Sequence, residues 1–350
     1  MKPAFRIYNV FRPIGWLYGL VTGLRNRMYD GGMLKSVSFP IPVICVGNIT
    51  VGGTGKTPHT EYIASLLRDR LRIAILSRGY GRHTKGFILS DARSDSNLIG
   101  DEPLQVKRRF PDVAVAVCED RVTGIKRLSD LCSPQVIILD DAYQHRKVTP
   151  SLNILLVNYS RNILQDAMLP AGRLRESAGC RRRAQMIVVT KCPNGLSSRE
   201  MDDLASKLAV SPEQKVYFTT LEYGSLYPLD GKSEVPSQDS PVLALAGIAD
   251  PAPMEAQLRK SHKEVSMLSY PDHHDFSRND IMEIEHRLKS MSQEAIIVTT
   301  AKDAARLSGM EMDESLKSRI FILPVKPAFL RDAKGFDDTI LNHIETFKQP

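Results

Sequence analysis

The chain has 350 residues, 42% hydrophobic and 25% charged. That balance argues against a disordered chain or a multispanning membrane protein and leaves room for two ordinary cores. The 47 Lys and Arg against 40 Asp and Glu give +7, but residues 1–36 hold Lys2, Arg6, Arg12, Arg25, Arg27 and Lys35 against Asp30, so +5 sits at one end and only +2 elsewhere; a globally basic nucleic-acid binder does not fit.

The basic end frames a charge-free run, residues 13–24, with Ile14, Trp16, Leu17, Tyr18, Leu20, Val21 and Leu24. It is shorter than the roughly 20 residues that span a hydrocarbon layer of ~30 Å, and no A-x-A site follows it as in a secretory signal. Two readings stay open on these residues: an interfacial helix with its apolar face in a membrane and its basic neighbours at anionic headgroups, or a helix packed on the protein's own core. Short runs rich in Val and Ile follow at 41–46, 73–76, 113–117, 136–139, 154–157, 186–189 and 216–218. Apolar on both faces, they read as buried strands of a parallel sheet with crossover helices between them, one over residues 60–71. Residues 230–241 (DGKSEVPSQDSP) read as a polar linker. Beyond it come strands at 242–246, 296–299 and 320–323 and an amphipathic helix at 279–291. The expected fold is α/β: an N-terminal segment (1–36), a parallel-sheet domain (37–230) that the GGTGKT run at 52–57 after its first strand makes P-loop NTPase-like, and a smaller α/β domain (231–350) that contributes to the active-site cleft. The five cysteines form no C-x-x-C pair and read as thiols of a reduced cytosolic protein.

The strongest chemical signal lies between the first strand and the first crossover helix, where Gly47 to Thr57 reads GNITVGGTGKT. Glycines let backbone N–H groups curl around an anion, the helix start adds positive potential, Lys56 reaches the β- and γ-phosphates, and Thr57 holds Mg²⁺. Thr50, Val51, Gly52, Gly53, Thr54, Gly55, Lys56 and Thr57 are therefore the candidate nucleotide-binding residues. A strict Walker loop would have Gly where Thr50 stands. A phosphate loop calls for a second element, a strand ending in acids, and residues 136–141 (VIILDD) supply it with Asp140 and Asp141. ATP with Mg²⁺ is the expected co-substrate. Thr190-Lys191-Cys192-Pro193 keeps only the Lys of an N-K-x-D guanine motif.

Three further clusters bear on the acceptor. Gly100-Asp101-Glu102-Pro103 puts two carboxylates at a helix start, one able to take a proton from a hydroxyl and the other to hold metal or water. The PDHHD run at 271–275 places His273 beside Asp272 as a partner for such a base across an interdomain cleft. Arg173 and Arg175 in PAGRLRE suit phosphate charge, whereas Arg181, Arg182 and Arg183 read as solvated surface.

Taken together these motifs resemble the tetraacyldisaccharide 4'-kinases, the lipid A 4'-kinases of Gram-negative bacteria. The likeness is carried by the apolar-basic N-terminus, VGNITVGGTGKTP (46–58), LSRGYGR (76–82), GDEP (100–103), LDDAYQH (139–145), LPAGRLRE (169–176), PDHH (271–274) and TTAKDAARL (299–307). It implies a monotopic kinase on the cytoplasmic face of the inner membrane, moving the γ-phosphate of ATP to the 4'-hydroxyl of a tetraacyldisaccharide 1-phosphate. It makes Asp101 the catalytic base paired with His273, sets Glu102, Asp140 and Asp141 around Mg²⁺ with Thr57, and puts Gln144, His145 and Arg173 in active-site motifs. The partners it implies are the lipid A precursor and, through the N-terminal segment, the anionic membrane surface, with no nucleic acid. The resemblance favours the interfacial reading of residues 13–24. Ala142-Tyr143 replaces the commoner Gly-Phe, and Ala301 stands where Glu is usual, which leaves the role of Lys302 and Asp303 open. A P-loop GTPase or metallochaperone and a soluble small-molecule kinase are the alternatives.

Overall fold

A computed structural model describes residues 8–272 and 274–349. After the N-terminal helix α1 (Arg12–Asp30), the chain alternates strands and helices. The strands are β1 (Val43–Gly47), β2 (Ile73–Ser77), β3 (Ile88–Leu89), β4 (Ala114–Val117), β5 (Val136–Asp140), β6 (Leu152–Asn158), β7 (Met186–Thr190) and β8 (Lys215–Tyr223). Between them run α2 (Lys56–Leu67), α3 (Ser96–Ile99), α4 (Asp101–Arg109), α5 (Arg121–Cys132) and α6 (Ser198–Leu208). Every residue of β1, β2, β5 and β7 is buried, as strands covered by helices on both faces must be. Helix α2 begins at Lys56, ahead of the expected 60–71, because Gly55 at φ +82° turns the loop straight into the helix.

The second group comprises β9 (Tyr227–Pro228), β10 (Val242–Ala246), β11 (Val265–Ser269), β12 (Ile296–Thr300) and β13 (Ile320–Leu323). With it go α7 (Ala252–Ser261), α8 (Arg278–Met291), α9 (Ala301–Leu307) and α10 (Glu314–Lys317). The chain closes with β14 (Val325–Arg331) and α11 (Ala333–Glu345). The first sheet has the order β14-β8-β7-β6-β1-β5-β2-β4-β3 and the second β11-β10-β12-β13-β9. Both are parallel inside, with antiparallel pairing at β14, β3 and β9.

This topology changes the expected division at residues 230 and 231. The polar segment 230–241 joins β9 to β10, two strands of one sheet, so it is a loop within the second unit. The chain crosses between sheets just after Tyr223 and returns at Pro324, where Gly224 N donates to Pro324 O at 3.0 Å. Residues 325–345 then belong to the first unit: β14 pairs with β8, and Phe336 and Ile340 of α11 enter the core formed by Ile63 and Leu67 of α2 and the sheet. An amphipathic strand and helix show that they need a core but not which one, and here the exposed edge at β8 is what they cover.

Helix α1 sits on the protein through its small and polar residues. Gly15 is buried, with room for no side chain because a Cβ would lie 2.9 Å from Met168 O. Asn26 donates to Glu176 Oε1 at 2.8 Å, and Arg25 donates to Gln144 O at 3.0 Å. The large apolar side chains point away: Trp16 is 78% exposed, and Leu17, Leu20, Val21 and Leu24 are all exposed. Among the described residues no helix is long and apolar enough to cross a membrane.

Arg183 departs from the expected solvated surface. Buried Glu176 accepts from its Nη2 at 2.6 Å, and its guanidinium stacks 4.6 Å from the Tyr143 ring centre; a buried carboxylate needs such a partner. Cys45, Cys118 and Cys192 are buried free thiols, while Cys132 and Cys180 are partly exposed.

Candidate functional site

Strand β1 lies between β5 and β6 in the first sheet, with Val46 opposite Asp140. The phosphate loop and the two acids therefore emerge side by side at the carboxyl edge, where open α/β sheets bind ligands. Buried Asn48 ties the loop across itself, its Nδ2 donating to Thr54 Oγ1 at 2.8 Å. Gln144 Nε2 donates to Asn48 O, Arg175 donates to Asn48 Oδ1, and Thr190 Oγ1 donates to Thr54 O at 2.9 Å. Residues 173–175 run along the loop as an added strand: Val51 N donates to Arg173 O at 2.9 Å and Arg175 N to Ile49 O at 2.8 Å, with Thr50 bridged to Leu174.

His59 stands under the helix start. Burial lowers its pKa to about 4, so the ring is neutral. Its Nδ1 donates to Gly55 O at 2.8 Å and its Nε2 accepts from Thr219 Oγ1 at 3.1 Å.

The acids have opposed environments. Asp140 is buried and accepts from Thr60 Oγ1 at 3.0 Å. Burial, then the charges of Glu102 and Asp141, push its carboxyl well above the ordinary carboxylate range. Burial acts on Asp141 in the same sense, but Lys56 and Arg175 outweigh it and hold that carboxyl low. Lys56 Nζ lies 3.7 Å from Asp141 Oδ2, and Arg175 Nη2 donates to Asp141 Oδ1 at 3.2 Å. Arg175 is thus engaged by Asp141 and Asn48, which differs from the direct phosphate contact expected of the Arg pair.

Asp101 and Glu102 occupy the first turn of α4. The preceding Gly100 adopts φ +89°, and a Cβ there would lie 2.7 Å from Tyr80 O. Glu102 lines, with residues 53–57, a cavity of about 1190 Å³ between the two sheets. Across that cavity stand Asp272 and Lys302, joined by an ion pair at 3.1 Å. His273 lies outside the described residues. Asp101 is gripped by Arg306 of α9, whose Nε and Nη2 donate to Oδ2 at 2.8 and 2.5 Å.

The structure brings residues 53–57 and Glu102 to this cavity and Asp140 and Asp141 beside the loop. Thr50, Val51, Gln144 and Arg173 are braces of the loop rather than part of the cavity wall. His145 is half-buried and stays neutral, its pKa lowered to about 4 by burial and then by Arg121 and Arg78.

Sequence reasoning missed Arg161, Arg121 and Arg306 and read Lys191 only against a guanine motif. Arg161 and Lys191 line the cavity. Gly52 at φ +90° leaves space for Arg161 Nη1, which would lie 2.6 Å from a Cβ there. The signal for Lys191 was its place at the end of strand β7. Arg121 is 2% exposed, and its charge is felt by Asp141 and His145.

Comparisons with known proteins agree along the chain. The family model described as tetraacyldisaccharide-1-P 4'-kinase matches residues 7–345. A tetraacyldisaccharide 4'-kinase of Parabacteroides distasonis is 45% identical, over 98% of this chain and 96% of its own length. One of Bacteroides fragilis (strain YCH46) is 43% identical, over 97% and 94%. The crystal structure titled as the "apo" form of LpxK from Aquifex aeolicus in complex with ATP is similar at a TM-score of 0.76 and 32% identity, over 96% of this chain and 99% of that one.

Proposed function

This chain belongs to the tetraacyldisaccharide-1-P 4'-kinase family, and from that premise we propose how its residues move the γ-phosphate of ATP to the 4'-hydroxyl of a tetraacyldisaccharide 1-phosphate. It is an ATP-dependent lipid A 4'-kinase, and the GTPase, metallochaperone and soluble-kinase alternatives are set aside. The observation that carries the residue assignments is the convergence of the phosphate loop, the acids at the end of β5 and the start of α4 at one sheet edge.

In this reading the loop amides and Lys56 hold the β- and γ-phosphates, with the α2 dipole adding to the positive potential. Asp101 accepts the proton of the 4'-hydroxyl as the P–O bond forms, with His273, assigned from the sequence alone, as its partner. Thr57, Glu102, Asp140 and Asp141 suit Mg²⁺. Asp140, raised by burial and then by the charges of Glu102 and Asp141, is a carboxylate that a hard cation would relieve. Among the described residues no group of three His, Cys, Asp or Glu could hold a metal alone, so phosphate oxygens would complete the coordination, as is usual for this ion. Bound there, it would neutralise charge developing on the phosphates. The assay is direct: ATP consumption should require the lipid acceptor and stop on chelation of Mg²⁺, and acceptor-independent hydrolysis would count against the reading.

The N-terminal helix fits an interfacial role on the cytoplasmic face of the inner membrane. Its exposed Trp16, Leu17, Leu20, Val21 and Leu24 share the helix with Arg12, Arg25 and Arg27. Each buried apolar side chain contributes about 1.5–3 kcal/mol. Replacing Trp16, Leu20 and Leu24 together by Ser should therefore reduce co-sedimentation with anionic vesicles by roughly 100-fold or more. Turnover of a short-chain, water-soluble acceptor should persist. Undiminished sedimentation of the triple variant would remove α1 from the anchor role.

A further inference from the structure

We propose that Arg306 is a positioning residue for Asp101 and that Asp303 in turn sets Arg306, so that helix α9 of the second unit aims a carboxylate of the first. The proposal rests on the base role given to Asp101 above and extends it. Asp303 is fully buried and Arg306 nearly so, with side-chain exposures of 0% and 5%. Asp303 is itself immobilised. Its Oδ2 accepts from Gly247 N at 3.0 Å and from Thr300 Oγ1 at 2.8 Å, while its Oδ1 accepts from Arg306 Nη1 at 3.0 Å. Arg306 then reaches across to α4, where Nε and Nη2 converge on Asp101 Oδ2.

A planar guanidinium anchored at one edge presents the other edge in a fixed direction, which a flexible ammonium does not. An aspartate in the first turn of a helix has several side-chain rotamers open to it, and only some present an oxygen to an acceptor hydroxyl. Two donors on one oxygen select among them. The surrounding contact does not need Arg306 for cohesion. Ile99, Leu104 and Val117 form a buried apolar cluster with Ala305. Arg108 of α4 donates to Ala304 O and Ala305 O at 3.4 and 3.3 Å and also to Ser308 Oγ. These hold α4 on α9, and Arg306 is directed instead at the carboxylate.

The test compares Arg306→Ala, Arg306→Lys and Asp303→Asn in the full-length protein with Mg-ATP and detergent-dispersed tetraacyldisaccharide 1-phosphate. Since a misplacement of about 1 Å at a reacting group costs on the order of 100-fold, Arg306→Ala should lower kcat by roughly 30–300-fold, with KM for both substrates within about threefold of wild type. Arg306→Lys, which keeps the charge but not the fixed fork, should recover no more than about threefold of that loss, and Asp303→Asn, which keeps the guanidinium but loosens its anchor, should lower kcat by roughly 5–20-fold. Three results overturn the proposal: kcat within threefold of wild type in the alanine variant, a loss matched by rising KM, or full recovery with lysine, which would show that charge alone suffices. Should the alanine variant not fold, the lysine and Asp303 variants decide the matter, since both having wild-type kcat overturns it. An Asp101→Asn variant run alongside separates the two levels. If it is active, the base reading fails; if it is inactive while the Arg306 variants are normal, only this inference fails.

Discussion

Asp101→Asn is expected to lower kcat by roughly 10²–10⁴-fold, about 3–5 kcal/mol in the barrier, with KM for ATP within about threefold of wild type. A sugar hydroxyl is a weak nucleophile whose proton must leave as the new P–O bond forms, and a carboxylate at the start of a helix can accept it. The asparagine keeps the shape and still accepts from Arg306, but has no proton affinity to offer. The fold should survive, because Arg306 retains Asp303 as an ion-pair partner at 3.0 Å. ATP binding should survive too, because the cavity lining includes residues 53–57 and not Asp101. Rapid-quench kinetics on the purified variant make the check, and turnover within threefold of wild type would take the base role from Asp101.

Lys56→Ala is expected to act differently, by raising KM for ATP and lowering kcat by roughly 10²–10³-fold together. Phosphoryl transfer depends on positioning and on neutralising charge, and the lysine does both within a cavity whose walls reduce screening by water. The ammonium also lies 3.7 Å from Asp141. Its removal takes away a cation that, with Arg175, opposes burial at that carboxylate, so Asp141 titrates higher. Nucleotide affinity by calorimetry and single-turnover rates separate the two losses. A variant with normal ATP affinity and only a slower chemical step would show that Lys56 acts on the transferring group alone.

Much of this site could be read from residue order, because each part carries a local signature. A phosphate loop needs glycines between a strand and a helix; the acids need an apolar strand before them; α4 announces itself by Asp101 and Glu102 ahead of Pro103. Ten strands of the two sheets were legible for the same reason, being short apolar runs without period, whereas β3, β9, β11 and β14, short or at sheet edges, were not. Long-range partners were not. Nothing near Arg306 in the chain marks Asp101, 205 positions away, as its ion-pair partner. The return of β14 and α11 to the first sheet was hidden because an amphipathic pattern gives the need for a partner and not its address. The polar run 230–241 misled as a domain linker because loops within a sheet and between domains share composition. Arg183 looked solvated for want of any local sign that Glu176 would be buried beside it.

Where the new phosphate lands tests the kinase reading most directly. The protein is incubated with Mg²⁺, γ-labelled ATP and tetraacyldisaccharide 1-phosphate, and the lipid product is analysed by phosphorus–proton correlation NMR. The expected result is one new phosphate monoester, carrying the label, on the 4'-oxygen. Label on the existing 1-phosphate, label on another hydroxyl, or label released only as inorganic phosphate would contradict it.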